Sequence, residues 1–353
     1  MSGYTLIENA SLAGRNTFRV PARAALLADV RNPDSLAELM SFPLIRQSEV
    51  LVLGQGSNLL LAGDFPGLVV CLASHGIRVL EDDGESALVR AEAGATWNDL
   101  VDWSLAHGFI GLENMALIPG SVGAAPIQNI GAYGAEAAEF IVSVEAFDRS
   151  TLGLRHLAAA ECAFGYRDSL FKREPDRWII TGVELRLSRQ SALRLEYAGI
   201  REELTAMGVD QPRAVHVAEA VSRVRTRKLP NPALLGNAGS FFKNPLVGRE
   251  RADALSREHP GLPVFPGTDQ SSRKLSAAWL IETSGWKGHR DGDAGVSERH
   301  ALVLVNHGAA TGEQILGLAA RICESVTARF GVELEPEPRI IGASFPGSVV
   351  SAA

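Results

Sequence analysis

Between Gly111 and Gly134 the chain carries five glycines and almost no charge. The run reads Gly111-Leu112-Glu113-Asn114, then Ile118-Pro119-Gly120-Ser121-Val122-Gly123, then Gln128-Asn129-Ile130-Gly131-Ala132-Tyr133-Gly134. Glycine reaches backbone conformations closed to other residues and lets a ligand approach the main chain. A nearly uncharged run of this kind can offer backbone N–H groups to an anion. Its side-chain amides are Asn114, Gln128 and Asn129. A plain surface loop is the simple alternative, but the low polarity between the glycines favours a loop buried against something.

At 353 residues the chain is long for one core, and two or three domains are expected. The net charge of −7 argues against a general nucleic-acid binder, which needs a basic face. Local lysine and arginine clusters still leave room for an anionic small substrate. Cys71, Cys162 and Cys323 are scattered, with no Cys-x-x-Cys pair and no histidine at ligand spacing, so neither a disulfide framework nor a metal site is expected. No apolar run approaches the ~20 residues of a membrane helix. Met1 to Ala10 lacks the basic start and apolar core of a signal peptide. A cytoplasmic protein with no membrane partner is the expectation.

Along the chain, Ala24 to Val30 reads as a buried strand, and Asn32-Pro33-Asp34 as the start of a helix through about Met40. Val50 to Leu53 and Leu68 to Cys71 are further short strands, making a β-α-β opening. Ile77 to Ala93 alternates and turns at Asp82-Asp83-Gly84, a hairpin. Thr96 caps a helix that stops at Gly108, with Asp99 completing a variant capping box. Ile141 to Phe147 and Trp178 to Leu187 are strands, and Val215 to Arg227 a helix with a basic end before Pro230 and Pro232. Lys274 to Thr283 reads as a helix and Ala301 to Val305 as a strand. Thr311 to Phe330 is an amphipathic helix with Thr311 and Gln314 as its capping box and Gly331 at its end. From Leu334 to Gly342 the prolines keep the chain extended.

Four constellations could carry chemistry. Gly54-Gln55-Gly56-Ser57-Asn58-Leu59 begins like a dinucleotide fingerprint, but Leu59 replaces the third glycine and Gly63 interrupts the helix that should follow. A glycine turn gripping phosphate by its backbone stays open. Phe164-Gly165-Tyr166-Arg167-Asp168-Ser169 is either a turn with an Arg–Asp pair or a guanidinium set to grip a carboxylate. Asn237 to Pro245 holds Ser240 beside Gly239; it is no nucleophile elbow, and no histidine is placed as a base. Such a serine can instead hand a proton to a carbanion, a role that needs position. Glu335-Pro336-Glu337 puts two carboxylates on one side of an extended tail, which the Ile340-Ile341 pair would hold in a core.

Taken together, these stretches resemble the UDP-N-acetylenolpyruvoylglucosamine reductase family over about Asn16 to Ala343. The resemblance also takes in Arg225-Thr226-Arg227-Lys228-Leu229-Pro230 and Leu334-Glu335-Pro336-Glu337. The Tyr166-Arg167 loop and the Tyr197 segment look like the longer, type I form. The resemblance implies an α+β fold: a two-part FAD-binding module of the vanillyl-alcohol-oxidase (PCMH) type plus a C-terminal α/β substrate domain. The parts would be residues 1–71, 72–211 and 229–331, with the tail 334–353 packing on the first. It also implies a monomer acting in peptidoglycan precursor synthesis on one small molecule, UDP-N-acetylglucosamine enolpyruvate. NADPH is the co-substrate and FAD is held non-covalently, since the glycine loops contain no histidine or cysteine, although Cys71 and His75 lie just upstream. Hydride reaches carbon C3 from flavin N5, a proton reaches C2, and UDP-N-acetylmuramate results.

By that resemblance Arg167 and Glu337 hold and polarise the substrate carboxylate, Glu337 in a protonated form. Ser240 donates the proton with help from Lys228. Lys228 and Lys287 meet the diphosphate, with Tyr197, Asn244 and His300 nearby. FAD would lie against Gly54, Gly56, Ser57, Asn58, Pro119, Gly120, Ser121, Gly123, Gln128, Asn129, Gly131, Tyr166, Arg225 and Arg339. The run from Gly111 to Gly134 would then be the wall behind the cofactor, its N–H groups and amides turned toward it. Two other readings compete. One is an FAD-dependent oxidase or dehydrogenase of the same flavin fold acting on a sugar or phenol, which would share the flavin loops but not the Ser240 segment. The other is a sugar-nucleotide binder without flavin, which would be colourless.

Overall fold

The structure, a computed structural model, describes residues 3–345. It falls into two compact units. One comprises the chain up to Ala10, Ala24–Gln55 and Pro66–Thr226; the other comprises Ser11–Arg23, Gly56–Phe65 and the chain from Arg227.

In the first unit, strands Tyr4–Ser11, Arg23–Val30, Phe65–Leu72 and Val50–Val52 form a four-stranded sheet in that order. Val50–Val52 runs parallel to Phe65–Leu72, and the helix Leu36–Ser41 lies along the chain between the strands Arg23–Val30 and Val50–Val52, so the β-α-β opening is present. Its helix starts as expected: the Asn32 side chain accepts the Asp34 N–H at 3.1 Å, Pro33 follows, and a tight turn leads into the helix Leu36–Ser41. The second sheet is antiparallel, in the order Gly153–Ala158, Ile141–Asp148, Trp178–Ser188, Ser86–Glu92, Ile77–Asp82. The expected hairpin forms its edge and turns through Gly84 at φ 88°.

Against this sheet lies the helix Trp97–Ala106. Its first turn is fixed by Thr96, whose hydroxyl accepts the Asp99 N–H at 3.1 Å. The helix buries Trp97, Leu100 and Val101 in one core with Val89, Val183, Leu185, Val217 and Val221. Full burial of each such aliphatic side chain contributes about 1.5–3 kcal/mol. This core also contains Leu112, Met115, Val122 and Ala125, so the glycine-rich run is anchored by apolar residues between its glycines.

In the second unit the long helix Gly312–Phe330 has the reciprocal capping box read from the sequence. Thr311 accepts the Gln314 N–H at 3.2 Å, and Gln314 accepts the Thr311 N–H at 2.9 Å. Gly331 ends it at φ 61°. Gly312 abuts the Leu61 carbonyl, where a Cβ would sit 1.8 Å from the oxygen, so no side chain fits there. The tail is extended, and Arg339–Ile341 pairs in parallel with Leu59–Leu61. The part of the expected tail beyond residue 345 lies outside the described residues.

Two sequence expectations are corrected here. Lys274 and Leu275 belong to the strand Ser272–Leu275, which pairs with Val264–Pro266, and the helix is Ala277–Thr283. Ser276 divides the two, since its hydroxyl accepts the Trp279 N–H at 3.2 Å and starts the helix there. Likewise, Ala301 to Val303 is not strand: the Val303 N–H donates to the His300 carbonyl at 3.0 Å and closes a turn. Only Leu304–Asn306 of that run joins a sheet, pairing with Ala294–Val296.

Candidate active site

In the first unit the two glycine-rich segments are buckled together. Gln55 Oε1 accepts the Gly120 N–H at 3.0 Å, and a Cβ on Gly54 would come within 2.5 Å of the Ser121 hydroxyl oxygen. Gly123 packs on Ala93, where a Cβ would meet another at 2.6 Å. Pro119 is exposed, while Gln128 and Gly131 are half-buried. Among the described residues, the N–H groups of Gly54 and Gln55 have no protein acceptor. Main-chain donors left open beside a side-chain-free Cα form a cradle for an anionic group.

The amides of this run behave differently from expectation. Asn129 gives Nδ2 to Glu136 at 2.8 Å and to the Gly165 carbonyl at 3.1 Å, and its Oδ1 accepts the Ala138 N–H at 2.9 Å. Its side chain is thus committed to the protein, and only its main chain remains for a ligand. Asn114 is also turned inward, to the carbonyls of Tyr133 and Arg194. Glu113, buried and raised in pKa by that burial, accepts the Gly111 N–H.

The Arg167 loop is a tight turn, closed by Gly165 N–H to the Asp168 carbonyl at 2.9 Å. Asp168 pairs with Arg173, not with Arg167, so the simple Arg–Asp turn is not what forms. Arg167 stands at φ 54°, donates to the Gly131 carbonyl at 3.0 Å and lies 5.7 Å from the Tyr166 ring centroid. Lys172 Nζ holds the Arg167 carbonyl at 2.9 Å. Leu117, Asn129, Tyr133 and Arg167 all take positive φ in this unit. Each such residue costs of order 1–3 kcal/mol, and strain of this kind gathers at functional sites.

Arg225 is the cation of this unit that fits a phosphate. It is half-buried, and its guanidinium has no hydrogen-bonding or ion-pair partner among the described residues. Burial lowers its pKa, with the Tyr133 phenol acting in the opposite sense. A desolvated guanidinium without a carboxylate is costly unless an anion completes it. The open N–H groups and the Arg225 guanidinium are each suited to an anionic group, as the phosphates of a dinucleotide cofactor are. If Arg225 meets the FAD that the resemblance implies, Arg225→Met should lower FAD affinity by about 100-fold or more, the scale of truncating one partner of a buried charge pair. The flavin-free protein should melt no lower than its parent, because an unpaired charge has been removed. Flavin titration and thermal melting of the stripped protein measure both.

In the second unit, Gly56 stands at φ 65° with a would-be Cβ 2.2 Å from the Arg15 carbonyl oxygen, so only glycine fits. Ser57 and Asn58 follow, half-buried. Asn58 links two groups of assigned residues: its Nδ2 donates to the Glu337 carbonyl at 3.4 Å, and its carbonyl accepts the Arg339 N–H at 3.1 Å. Glu337 is half-buried, and its N–H donates to the Phe241 carbonyl at 2.8 Å, bringing it beside the residue after Ser240. Glu335 is exposed and paired with Lys243.

The Ser240 segment is held by Asn237, whose Oδ1 accepts the Gly239 N–H at 3.0 Å while Nδ2 reaches the Pro230 and Leu235 carbonyls. Gly239 takes φ 71°. The Ser240 hydroxyl is half-buried and has no hydrogen-bond partner among the described residues. Asn244 Oδ1 caps the helix Ala277–Thr283 by accepting the Ala277 N–H at 3.0 Å. Lys228 is exposed and makes no ion pair among the described residues, whereas Lys287 bonds Glu282 at 2.9 Å. His300 lies within electrostatic reach of both lysines: burial first, then Lys228 and Lys287, lower its pKa, so it is neutral at pH 7. Its Nδ1 accepts the Leu302 N–H at 3.3 Å, which leaves the proton on Nε2. Tyr197 belongs to the first unit and is 47% exposed.

Sequence reasoning missed Gln55, Lys172 and Asn237 as the groups that hold these loops. Each acts on a main-chain atom, and a polar residue in a loop carries no mark of which atom it will meet.

Comparison with known proteins places these loops among relatives. Residues 24–151 match the FAD binding domain family, and residues 231–341 match the family described as UDP-N-acetylenolpyruvoylglucosamine reductase, C-terminal domain. The UDP-N-acetylenolpyruvoylglucosamine reductase of Xanthomonas euvesicatoria pv. vesicatoria is 55% identical over 342 residues, covering 97% of this chain and 98% of that protein. That of Xanthomonas campestris pv. campestris strain 8004 is 55% identical over 340 residues, with 96% and 97% covered. The crystal structure of the corresponding reductase from Thermus caldophilus superposes with a TM-score of 0.66 at 26% identity, over 96% of this chain and 98% of that one. The α+β class read from the sequence, an FAD-binding domain followed by a second domain, agrees with these matches.

Proposed function

This chain belongs to the UDP-N-acetylenolpyruvoylglucosamine reductase family of FAD-dependent oxidoreductases, and from that premise we propose that it uses NADPH to reduce UDP-N-acetylglucosamine enolpyruvate to UDP-N-acetylmuramate. FAD, when bound, supplies hydride to C3 of the enol ether; the residues of this chain do the rest. Arg225 and the open N–H groups of the Gly54 turn hold the cofactor's diphosphate. Arg167 and Glu337 hold the substrate carboxylate and draw charge toward it as C3 is reduced. Preorganised groups aimed at developing charge are the largest catalytic contribution in many enzymes.

The electron pair that gathers at C2 must then take a proton. Ser240 is suited to supply it, because its hydroxyl engages no partner among the described residues and its segment is locked by Asn237 and joined to Glu337 through Phe241. A serine is a weak acid, so Lys228 is assigned the role of favouring the alkoxide left behind and assisting its reprotonation. Lys228, Lys287, the Nε2–H of His300, Asn244 and Tyr197 are assigned to the sugar nucleotide, the lysines to its diphosphate.

What supports this reading most is the 55% identity to a named reductase over nearly the full length of both chains. The purified protein should be yellow and should oxidise NADPH in the presence of the enolpyruvyl sugar nucleotide, with UDP-N-acetylmuramate formed mole for mole. NADPH oxidation with no such product, or turnover only with an unrelated sugar or phenol, would overturn it.

A further inference from the structure

We infer that Asn114 is a positioning residue for the sugar-nucleotide side of the site, acting through Tyr133 on Tyr197. Asn114 is fully buried. Its Nδ2 donates to the Tyr133 carbonyl at 2.9 Å and to the Arg194 carbonyl at 3.0 Å, so one amide ties the end of the glycine-rich run to the segment leading into Tyr197. Arg194 closes the brace from the other side: Nη1 donates to the Gly134 carbonyl at 3.0 Å, and the guanidinium pairs with Glu139 at 2.5 Å.

The brace is needed where it stands. Tyr133 takes φ 49°, a conformation that a bulky side chain keeps only when its surroundings impose it. The result is a Tyr133 ring set edge-on to Tyr197, centroids 5.0 Å apart at 68°. Tyr197 is exposed, and Tyr133 is the aromatic ring it rests on. The arrangement has a cost, since Asn114 Oδ1 is buried with no hydrogen-bond partner among the described residues. An amide kept in a core with an unsatisfied acceptor is there for its two donor bonds.

The inference rests on the proposed contact of Tyr197 with the substrate, and the test separates the two. Asn114→Asp keeps the shape and loses both donors; Asn114→Leu removes them without adding a charge. In the holoenzyme, each should raise KM for the enolpyruvyl sugar nucleotide by about 10-fold, within the range of coupled neighbours. NADPH-driven flavin reduction and kcat should stay as in the parent. In a Tyr197→Ala background the Asn114 changes should add nothing to KM. A full additive effect in that background would overturn the inference, as would equal slowing of flavin reduction, which marks a general loss of structure. Unchanged KM in both Asn114 variants, with KM raised in Tyr197→Ala, would overturn the inference alone. An unchanged KM in Tyr197→Ala would remove the substrate reading of Tyr197 and this role with it.

Discussion

Ser240→Ala should leave NADPH-driven reduction of the bound flavin at its normal rate and slow reoxidation by the enolpyruvyl sugar nucleotide by about 10²–10⁴-fold, the span usually lost with a positioned proton donor. The asymmetry follows from where the proton is needed. Hydride arriving from NADPH asks for no proton at a substrate carbon, whereas reduction of the enol ether stalls unless C2 is protonated. Removal of the hydroxyl costs the fold little, because Ser240 has no hydrogen-bond partner among the described residues and the segment is held by Asn237 instead. Single-turnover absorbance of the flavin separates the two steps. Normal reoxidation in the variant would move the proton donor elsewhere.

Arg167→Gln should have the next largest effect, a fall in reoxidation of about 10²–10³-fold, the loss expected when one preorganised donor to developing charge is removed. Arg167→Lys should recover only part of it, since an ammonium keeps the charge and loses the planar fork that matches a carboxylate. The position is built for a side chain in one orientation. Asp168 is taken by Arg173, Lys172 holds the Arg167 carbonyl, and the residue sits at φ 54°. Both variants should keep the flavin spectrum, because the carboxylate they serve belongs to the substrate. Full rate in Arg167→Lys would leave charge alone as the requirement.

Much of this was legible in the sequence because some residues admit only one use. Gly331 ends its helix at positive φ, and the Thr311–Gln314 pair forms the reciprocal cap that its spacing announces. Local signals misled where the deciding contact was made by one polar atom. Lys274-Leu275 joins the helical pattern on paper, but the Ser276 hydroxyl starts the helix two residues later. The apolar run Ala301 to Val305 reads as a strand, but the His300 carbonyl closes a turn inside it. Side-chain direction was the least legible. Asn114 and Asn129 stand among glycines like ligand-facing amides, and both turn inward to carbonyls far along the chain. What they hold, rather than what they touch, is their contribution.

The most direct measurement is anaerobic stopped-flow absorbance of the flavin, first with NADPH and then with UDP-N-acetylglucosamine enolpyruvate added to the reduced enzyme. The expected result is bleaching by NADPH, then rapid return of the oxidised spectrum with one UDP-N-acetylmuramate formed per flavin. A reduced flavin that persists in the presence of the enolpyruvyl sugar nucleotide would contradict the proposed reaction.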